Sequence, residues 1–208
     1  MLREVVVAST NEAKIAEIVR IMQGLDVKLL TRSDFHSWPS VAETGDSYHD
    51  NALLKAEALV AMTGKLALAD DSGIEIDALG GRPGIHSARF AGLDATDDEN
   101  NALLIQQLRD VPEAERTARY RCVVVLLEPA GQQTSAEGVC EGRIVLEPRG
   151  SGGFGYDSYF IPEGYDKTMA ELSPDEKHRI SHRGKALRSL AEQLKVWAAR
   201  DSNPEPAD

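Results

Sequence analysis

The stretch LALADDSGIEID, residues 66–77, joins an apolar run to two consecutive aspartates. Small apolar residues in this pattern predict a β-strand, and successive side chains of a strand point to opposite faces. Asp70 and Asp71 are therefore expected in different environments. We expect the strand to end at Asp71, which would place that carboxylate where α/β sheets collect ligands. Such a carboxylate suits Mg²⁺, with Asp70 left to cap or pair; a turn in which aspartate caps backbone N–H groups is the alternative.

The composition is ordinary for a globular chain but the charge is not. The 208 residues are 42% hydrophobic and 27% charged, which favours one domain or two closely packed lobes. With 34 acidic and 23 basic residues, the formal net charge is −11. Such a surface repels the phosphates of long nucleic acids, although a small anionic ligand can still bind in a local basic pocket.

Targeting signals and cysteine usage point to the cytoplasm. No apolar stretch approaches the ~20 residues of a membrane span, and the N-terminal MLREVVVAST lacks the regions of a signal peptide. We therefore expect a cytoplasmic protein that does not bind membranes, with Cys122 and Cys140 as reduced core thiols. A disulfide between them stays an alternative, since both lie on strand-like segments.

Strand and helix patterns alternate along residues 1–200, which predicts an α/β fold with a mixed sheet. Apolar residues at helical spacing predict a helix over residues 10–24, ended by Gly24. Further helices are predicted near residues 47–64 and 94–111, and strands near 4–9, 27–31, 117–129 and 137–148, with a turn around Gly131 between the last two.

The C-terminal part of the chain is expected to be helical. Ser173, Pro174 and Glu176 form a capping box with proline at the first helical position, and the helical pattern continues to residue 200. The sequence DSNPEPAD, residues 201–208, is expected to be a disordered tail. The predicted core-facing positions of the helix are Leu187, Leu190, Ala191, Leu194 and Trp197.

Two stretches offer basic groups beside loops. STNEAK, residues 9–14, lies between the first strand and the first helix, where free N–H groups and the helix dipole make an anion site and Lys14 can place an ammonium beside a phosphate. Further on, Asn51 and Lys55 share one helix face, with Glu43 in the preceding loop. An ordinary helix cap and a solvated helix face explain the two stretches equally well.

The glycine-rich GSGGFGYDSYF, residues 150–160, formally contains G-x-G-x-x-G. A dinucleotide fingerprint needs a helix to follow, whereas YDSYFIP is strand-like, so this interpretation fails. The glycines instead let backbone approach a flat ligand, with Phe154 or Tyr156 available to stack, or they form a hairpin turn. His178 and His182 lack the further ligands of a zinc site, and the chain contains no P-loop motif.

Taken together, the motifs resemble the inosine triphosphate pyrophosphatase family, the non-standard purine nucleoside triphosphate pyrophosphatases. The resemblance covers nearly all of residues 4–195. It rests on six motifs that occur in this order: S-T-N-x-x-K, E-T-G-x-S-x-x-x-N-A-x-x-K-A, A-D-D-S-G, G-G-x-P-G-I-x-S-A-R, G-G-F-G-Y-D and S-H-R-G-K-A-L.

The resemblance implies a fold and an assembly. The fold is an elongated mixed β-sheet with flanking helices, folded over residues 1–200 as a single domain of two lobes with the active site in the cleft between them. The assembly is usually a homodimer.

The resemblance also implies roles for individual residues. Glu43 and Asp71 are implied as the carboxylates of a Mg²⁺ site, and Asp71 also as the proton acceptor. Lys14 and Lys55 are implied to face the phosphates. The remaining implied substrate contacts are Ser9, Thr10 and Asn11 at the triphosphate, Ser72, the nucleoside-binding stretch Phe154, Gly155, Tyr156 and Asp157, and the base-reading residues Lys177, His182 and Arg183.

The implied reaction converts non-standard purine nucleoside triphosphates such as ITP, dITP and XTP to the monophosphate and pyrophosphate, which keeps these nucleotides out of DNA and RNA. Lys177 and Arg183 only donate hydrogen bonds, so they match the acceptor oxygen at C6 of hypoxanthine and xanthine and not the amine of adenine. Two alternatives are a Maf-type pyrophosphatase acting on dTTP or UTP and a non-catalytic nucleotide-binding regulator. The SHRGKAL and GGFGYD motifs disfavour the first, and the presence of Glu43 and Asp71 disfavours the second.

Overall fold

The structure, a computed structural model, describes residues 3–23 and 27–201, with side chains as far as residue 193. The predicted stop at Gly24, the core positions Leu194 and Trp197, and residues 202–208 of the predicted tail lie outside the described residues or side chains. Asp201, the first residue of that predicted tail, is instead the last residue of a helix. Over the described ranges no helix is long and apolar enough to cross a bilayer. The strands are β1 (Arg3–Val7), β2 (Val27–Leu30), β3 (Leu66–Ile76), β4 (Thr117–Leu127), β5 (Gln133–Ile144) and β6 (Phe160–Pro162). The helices are α1 (Glu12–Ile21), α2 (Tyr48–Thr63), α3 (Asp97–Leu108), α4 (Pro174–Ile180) and α5 (His182–Asp201).

The six strands form one mixed sheet in the order β2-β1-β3-β4-β5-β6. β1 runs parallel to both β2 and β3, whereas β3, β4, β5 and β6 pair antiparallel. The fold prediction of a mixed sheet with flanking helices is confirmed. The hairpin between β4 and β5 turns at Gly131, which has a φ of +89°, and the free thiols of Cys122 and Cys140 are buried.

Three groups of buried apolar side chains pack against different parts of the sheet. Two of them cover the half that contains β1 and the beginning of β3, one with α1 and α5 and the other with α2. The third covers the far ends of β3, β4 and β5 together with α3. Residues 70–73 of β3 belong to none of the three groups, so the middle of β3 lies between two packed regions.

The prediction that the strand ends at Asp71 is wrong. β3 continues to Ile76 because β4 pairs with it along its whole length, from Ala67 to Ile76. On the other side, β1 pairs only with Leu66, Ala67 and Leu68. The strand that ends at this point is therefore β1, and the two aspartates lie just beyond its carboxyl end, beside an opening in the sheet.

The continuous helix predicted over residues 173–200 is also interrupted. Ser181 has extended backbone (ψ 153°) and separates α4 from α5. Its N–H donates to the carbonyl of Lys177, and its hydroxyl accepts from Gly184 N–H at 3.0 Å. Because serine can cap a helix start as well as close a preceding turn, one residue redirects the chain here.

Two smaller differences concern strand lengths. β6 contains only Phe160–Pro162 of the strand-like YDSYFIP, because residues 156–159 turn. β5 begins at Gln133, earlier than predicted, because it pairs with β4 back to Leu127.

Gly138 explains how α5 approaches the sheet. A Cβ at this position of β5 would lie 2.1 Å from the carbonyl oxygen of His182 and 2.5 Å from the backbone nitrogen of Ala186. Because glycine leaves this space free, the first turn of α5 lies directly on β5. Leu187 and Leu190 are then fully buried, as predicted, and Ala191 is half-buried.

Candidate active site

The loop between β1 and α1 forms one end of the site. Asn11 caps α1, and its Oδ1 accepts from Lys14 N–H at 3.1 Å. Ser9 Oγ in turn accepts from Asn11 N–H at 3.2 Å. The ammonium of Lys14 lies 3.3 Å from Asp70 Oδ2. The helix start, its polar loop and one lysine therefore stand together beside the middle of β3, in an arrangement that suits an anion.

Lys55 of α2 holds two carboxylates together. Its Nζ lies 3.1 Å from Glu43 Oε1 and 3.0 Å from Asp71 Oδ1. Arg89 also donates to Glu43 Oε2 at 3.0 Å, and Asn51 Nδ2 lies 3.4 Å from Asp71 Oδ2. Glu43 and Asp71 thus face a common point, as two ligands of one cation would.

Burial and charge act differently on the ionisable groups of this cluster. Burial opposes the charge of Lys55, but Asp71, Asp70 and Glu43 outweigh it and raise the pKa of the ammonium. For Asp71 burial dominates, and the pKa of the carboxyl is raised despite Lys55. For Glu43 the positive charge of Lys55 and other basic groups overcomes burial and lowers the pKa. At neutral pH the cluster holds two carboxylates, of which Asp71 accepts a proton more readily.

Asp70 points to the opposite face of β3 from Asp71, as the strand alternation predicted. It is 2% exposed, and its Oδ2 accepts from Arg183 Nε at 3.2 Å in addition to its ion pair with Lys14. Burial disfavours its charge, but Lys14 and Arg183 more than compensate and hold the pKa well below its usual range. Asp70 thus has two cationic partners where Asp71 has one, although its Oδ1 has no hydrogen-bond partner among the described residues.

The glycine-rich stretch forms a loop at the other end of the site. Asp157 Oδ2 accepts from Phe154 N–H at 3.0 Å and from Lys177 Nζ at 2.7 Å. Tyr156 donates its hydroxyl to the carbonyl of Ser87 at 2.8 Å. Lys177 lies 4.9 Å from the centre of the Phe154 ring, a distance typical of cation–π contacts. The loop thus presents an aromatic face beside a cation.

Two cations at this end share a buried acid that the sequence analysis did not identify. Glu17 of α1 accepts from Arg183 Nη1 through one oxygen, and its other oxygen lies 2.7 Å from Lys177 Nζ. Burial opposes its charge, but Arg183 and Lys177 outweigh it and lower the pKa of the carboxyl. The sequence signal was the position of Glu17 between Ile15 and Ile18, both on the buried side of α1; a lone acid at such a position indicates a buried partner.

His182 stacks on Tyr120, with ring centroids 4.6 Å apart and planes 9° from parallel. Burial, reinforced by Arg183 and Lys177, keeps the pKa of the imidazole well below its usual value. The ring is therefore neutral at pH 7 and offers both a donor and an acceptor nitrogen. Its Nδ1 has no partner among the described residues.

The two ends are adjoining chambers that share part of their lining. Asn11, Lys14, Glu43 and Ala88 line both chambers. Each residue that the sequence analysis assigned to the site lines one chamber or the other, so the structure brings all of them together. One chamber, named phosphate-side after its expected role, contains Ser9, Thr10, Lys55 and Asp70. The other, named nucleoside-side after its expected role, contains Asp71, Ser72, Phe154, Gly155, Tyr156, Asp157, Lys177, His182 and Arg183.

The acidic groups of this cleft set a limit on metal binding. Over residues 3–23 and 27–201, no group of three or more histidine, cysteine or acidic side chains is placed to hold a metal ion. Glu43 and Asp71 form a pair, which suits Mg²⁺ because this ion is often held by one or two carboxylates together with substrate phosphates. It does not suit a structural zinc site, which needs four protein ligands.

The fold and the cleft define an α/β protein with a site whose chemistry suits a ligand with an anionic end and a flat end. Comparison with known proteins identifies its family. The sequence profile of the Ham1 family matches residues 5–193, and the chain belongs to this family. It is 46% identical over 191 residues to a dITP/XTP pyrophosphatase of Desulforamulus reducens, covering 92% of this chain and 95% of the relative. A dITP/XTP pyrophosphatase of Geobacter sulfurreducens is 45% identical, with 93% and 97% covered.

Solved structures agree with this assignment. The chain is similar to a HAM1 protein from Coxiella burnetii, with a TM-score of 0.84 and 41% identity, over 93% of this chain and 99% of the other. A nucleoside-triphosphatase, or dITP/XTP pyrophosphatase, from Mycobacterium abscessus gives a TM-score of 0.73 and 42% identity, with the same coverage. The resemblance stated from the sequence motifs is therefore confirmed.

Proposed function

We propose that the protein hydrolyses non-standard purine nucleoside triphosphates, dITP, XTP and ITP, to the nucleoside monophosphate and pyrophosphate. The observation that carries the proposal is the pair of adjoining chambers, one with two lysines beside a carboxylate pair and the other aromatic and lined by cations. The names of relatives that are about 45% identical over nearly the whole chain support it. Removal of such nucleotides keeps them out of DNA and RNA.

The phosphate-side chamber binds the triphosphate in this proposal. Lys14 lines both chambers and Lys55 lines the phosphate-side chamber, so the charges of both lysines act on the phosphates. Cleavage between the α- and β-phosphates develops negative charge on the leaving pyrophosphate, and a fixed positive field stabilises it. The free N–H groups at the start of α1 contribute in the same direction.

Asp71 accepts the proton of the attacking water. It is 4% exposed, and burial raises the pKa of its carboxyl. Lys55 at 3.0 Å and Asn51 at 3.4 Å fix its orientation. Asp70 is a weak base in this scheme, because Lys14 and Arg183 outweigh burial and hold the pKa of its carboxyl well below its usual range.

Glu43 and Asp71 would hold Mg²⁺. Both carboxylates lie within 3.1 Å of the Lys55 ammonium, so the chain holds their oxygen donors close together. A bound Mg²⁺ supplies positive charge to the phosphate oxygens and orients them. Arg89 keeps Glu43 in place by donating to Oε2 at 3.0 Å and to its backbone carbonyl at 3.3 Å.

The nucleoside-side chamber selects the base. Lys177 has three N–H donors, of which Glu17 and Asp157 use two, so one remains for the acceptor oxygen at C6 of hypoxanthine or xanthine. Adenine offers an amine instead, which leaves buried donors unpaired at a cost of about 1–3 kcal/mol each. Guanine carries the same oxygen as hypoxanthine, so its rejection depends on the pocket near C2.

A pyrophosphate-release assay tests the proposal. We expect kcat/KM for ITP, dITP and XTP to exceed that for GTP, ATP and dTTP, and turnover to require Mg²⁺. Preference for dTTP or UTP would instead support a Maf-type enzyme, and nucleotide binding without release of pyrophosphate would support a regulator. Turnover without Mg²⁺ would show that Glu43 and Asp71 do not hold a required metal ion, but the hydrolytic activity itself would stand.

The expected homodimer, the single-domain boundary at residue 200 and the cytoplasmic location stay predictions. Dimerisation follows from the family resemblance and is measured by light scattering coupled to gel filtration. A dimer mass of about twice 22.6 kDa is the expected result.

A further inference from the structure

The nucleoside-binding loop is held by the beginning of α3, whose Asp97 itself lines the nucleoside-side chamber. Asp97 Oδ2 accepts from Gly155 N–H at 2.7 Å, and Asn101 Nδ2 donates to the carbonyl of Gly155 at 3.0 Å. The two side chains are four residues apart, so they lie on the same face of α3 and reach the two sides of one glycine. Neither residue belongs to the motifs on which the site prediction rests.

Gly155 needs this support because of its backbone. Its φ of +61° is in the left-handed region, which glycine adopts readily but which also leaves it free to adopt other conformations. Phe154 and Tyr156 on either side form walls of the nucleoside-side chamber. If the peptide groups of Gly155 change orientation, the Phe154 ring moves relative to Lys177, 4.9 Å away.

We propose that Asp97 and Asn101 are positioning residues for nucleoside binding: they clamp Gly155 and thereby hold Phe154 at the base chamber. The inference rests on the proposed function and adds two residues to it. Asp97 uses one carboxylate oxygen for the clamp. Asn101 is 7% exposed, and its Oδ1 has no partner among the described residues. The hydrogen bond to Gly155 is therefore the only hydrogen bond that this side chain makes to those residues.

The clamp predicts an effect on binding of the nucleoside that does not extend to the phosphates. A lost hydrogen bond to a charged acceptor corresponds to about a tenfold change in affinity. We expect Asp97→Ala to raise KM for dITP about tenfold and to leave kcat within twofold of wild type. The reason is that a positioned loop stabilises the bound substrate and the transition state equally. Affinity for inosine monophosphate falls by a similar factor, and affinity for pyrophosphate alone does not change.

Two variants separate the clamp from the general effect of a charge at a helix start. Asp98→Ala removes the same charge from the same turn of α3, and no contact joins Asp98 to Gly155, so its KM stays at the wild-type value. Asp97→Asn keeps an acceptor oxygen for Gly155 N–H and recovers most of the affinity that Asp97→Ala loses. Asn101→Asp places an acceptor against the Gly155 carbonyl, so we expect it to raise KM at least tenfold. If Asp97→Ala does not fold, Asn101→Asp still tests the clamp.

Calorimetric titration of wild type and variants with inosine monophosphate, and separately with pyrophosphate, completes the experiment. Equal losses in Asp97→Ala and Asp98→Ala would overturn the clamp, as would an Asn101→Asp variant with wild-type affinity. So would a parallel loss of pyrophosphate affinity. Absence of hydrolysis by the wild-type protein overturns the proposed function instead, and the titrations still decide on the clamp.

Discussion

Replacement of Glu17 by glutamine tests the buried charge network most directly. The carboxylate is 7% exposed and is shared by Lys177 and Arg183, which are 7% and 1% exposed. Glutamine has nearly the same shape, but it removes the negative charge and presents an N–H₂ group to one of the two cations. The buried cations then face each other with one acid fewer.

The expected loss of stability follows from breaking two buried ion pairs at once, although Lys177 keeps Asp157 and Arg183 keeps Asp70. Breaking a buried ion pair by removing one partner costs about 3–5 kcal/mol. Because the amide oxygen of glutamine still accepts from one cation, we expect the lower value, about 3 kcal/mol. For a chain of this length, each kcal/mol shifts the unfolding midpoint by about 2–4 °C, so the midpoint falls by about 6–12 °C.

Circular dichroism during heating and in urea measures this change. Glu12→Gln is the matched control, because Glu12 is an exposed acid of the same helix that has no ion-pair partner among the described residues. Its loss of interaction with the helix dipole costs below about 1 kcal/mol. A Glu17→Gln midpoint equal to that of Glu12→Gln would refute the role assigned to the network.

The network also has a pH signature. The folded-state pKa of Glu17 lies below its ordinary value of 4.5, so its contribution is fully present above pH 4.5. It decreases as the pH falls from 4.5 through the folded-state pKa. The difference in unfolding free energy between wild type and Glu17→Gln should therefore shrink in acid, and a difference that does not vary with pH would contradict the assignment.

Three other substitutions test individual roles. Asp71→Asn should lower kcat about 10²–10⁴-fold with an unchanged circular dichroism spectrum, since it removes the proton acceptor; near-normal turnover would exclude Asp71 from the mechanism. Lys177→Ala should lower the ratio of kcat/KM for ITP to that for ATP about tenfold, because a donor to C6 is lost; an unchanged ratio would place base selection elsewhere. His182→Phe keeps a ring on Tyr120 but cannot titrate. The folded-state pKa of His182 is well below 6.5, so below that pH the unfolded chain binds a proton that the wild-type fold excludes. The free energy of unfolding of the wild type therefore falls between pH 7 and pH 5, by up to about 1.4 kcal/mol per pH unit. Urea denaturation at both pH values should show a smaller decrease in the variant.

The residues of the cleft could be predicted because they occur in short, ordered motifs. Each motif supplies a local element: a helix cap at Asn11, a helix face with Lys55, a strand with Asp71 and a turn at Gly155. The pairing of β1 with β3 brings the Asn11 cap beside Asp71, and the order β3-β4-β5 brings the turn at Gly155 from the other side; both are long-range contacts. Residue patterns therefore indicated the members of the site, while the sheet order that assembles them came from the structure.

The errors have one physical origin, which is that tertiary contacts override local patterns. β3 continues past Asp71 because β4 offers hydrogen-bond partners along its full length. Ser181 interrupts a good helical pattern because its hydroxyl accepts from Gly184 N–H and its N–H closes the preceding turn. Glu17 was missed because its partners, Lys177 and Arg183, are more than 150 residues away along the chain.

Helix α1 carries Lys14 and Glu17 one turn apart, so the same ten-residue rod supports both chambers. A rigid rod transmits any tilt to both of its contacts at once. Changes in the packing of α1 against the sheet should therefore alter the choice of base and the handling of the triphosphate in step. Variants selected for a new base would then arise more readily from residues outside this helix, where one chamber can adapt while the other keeps its geometry.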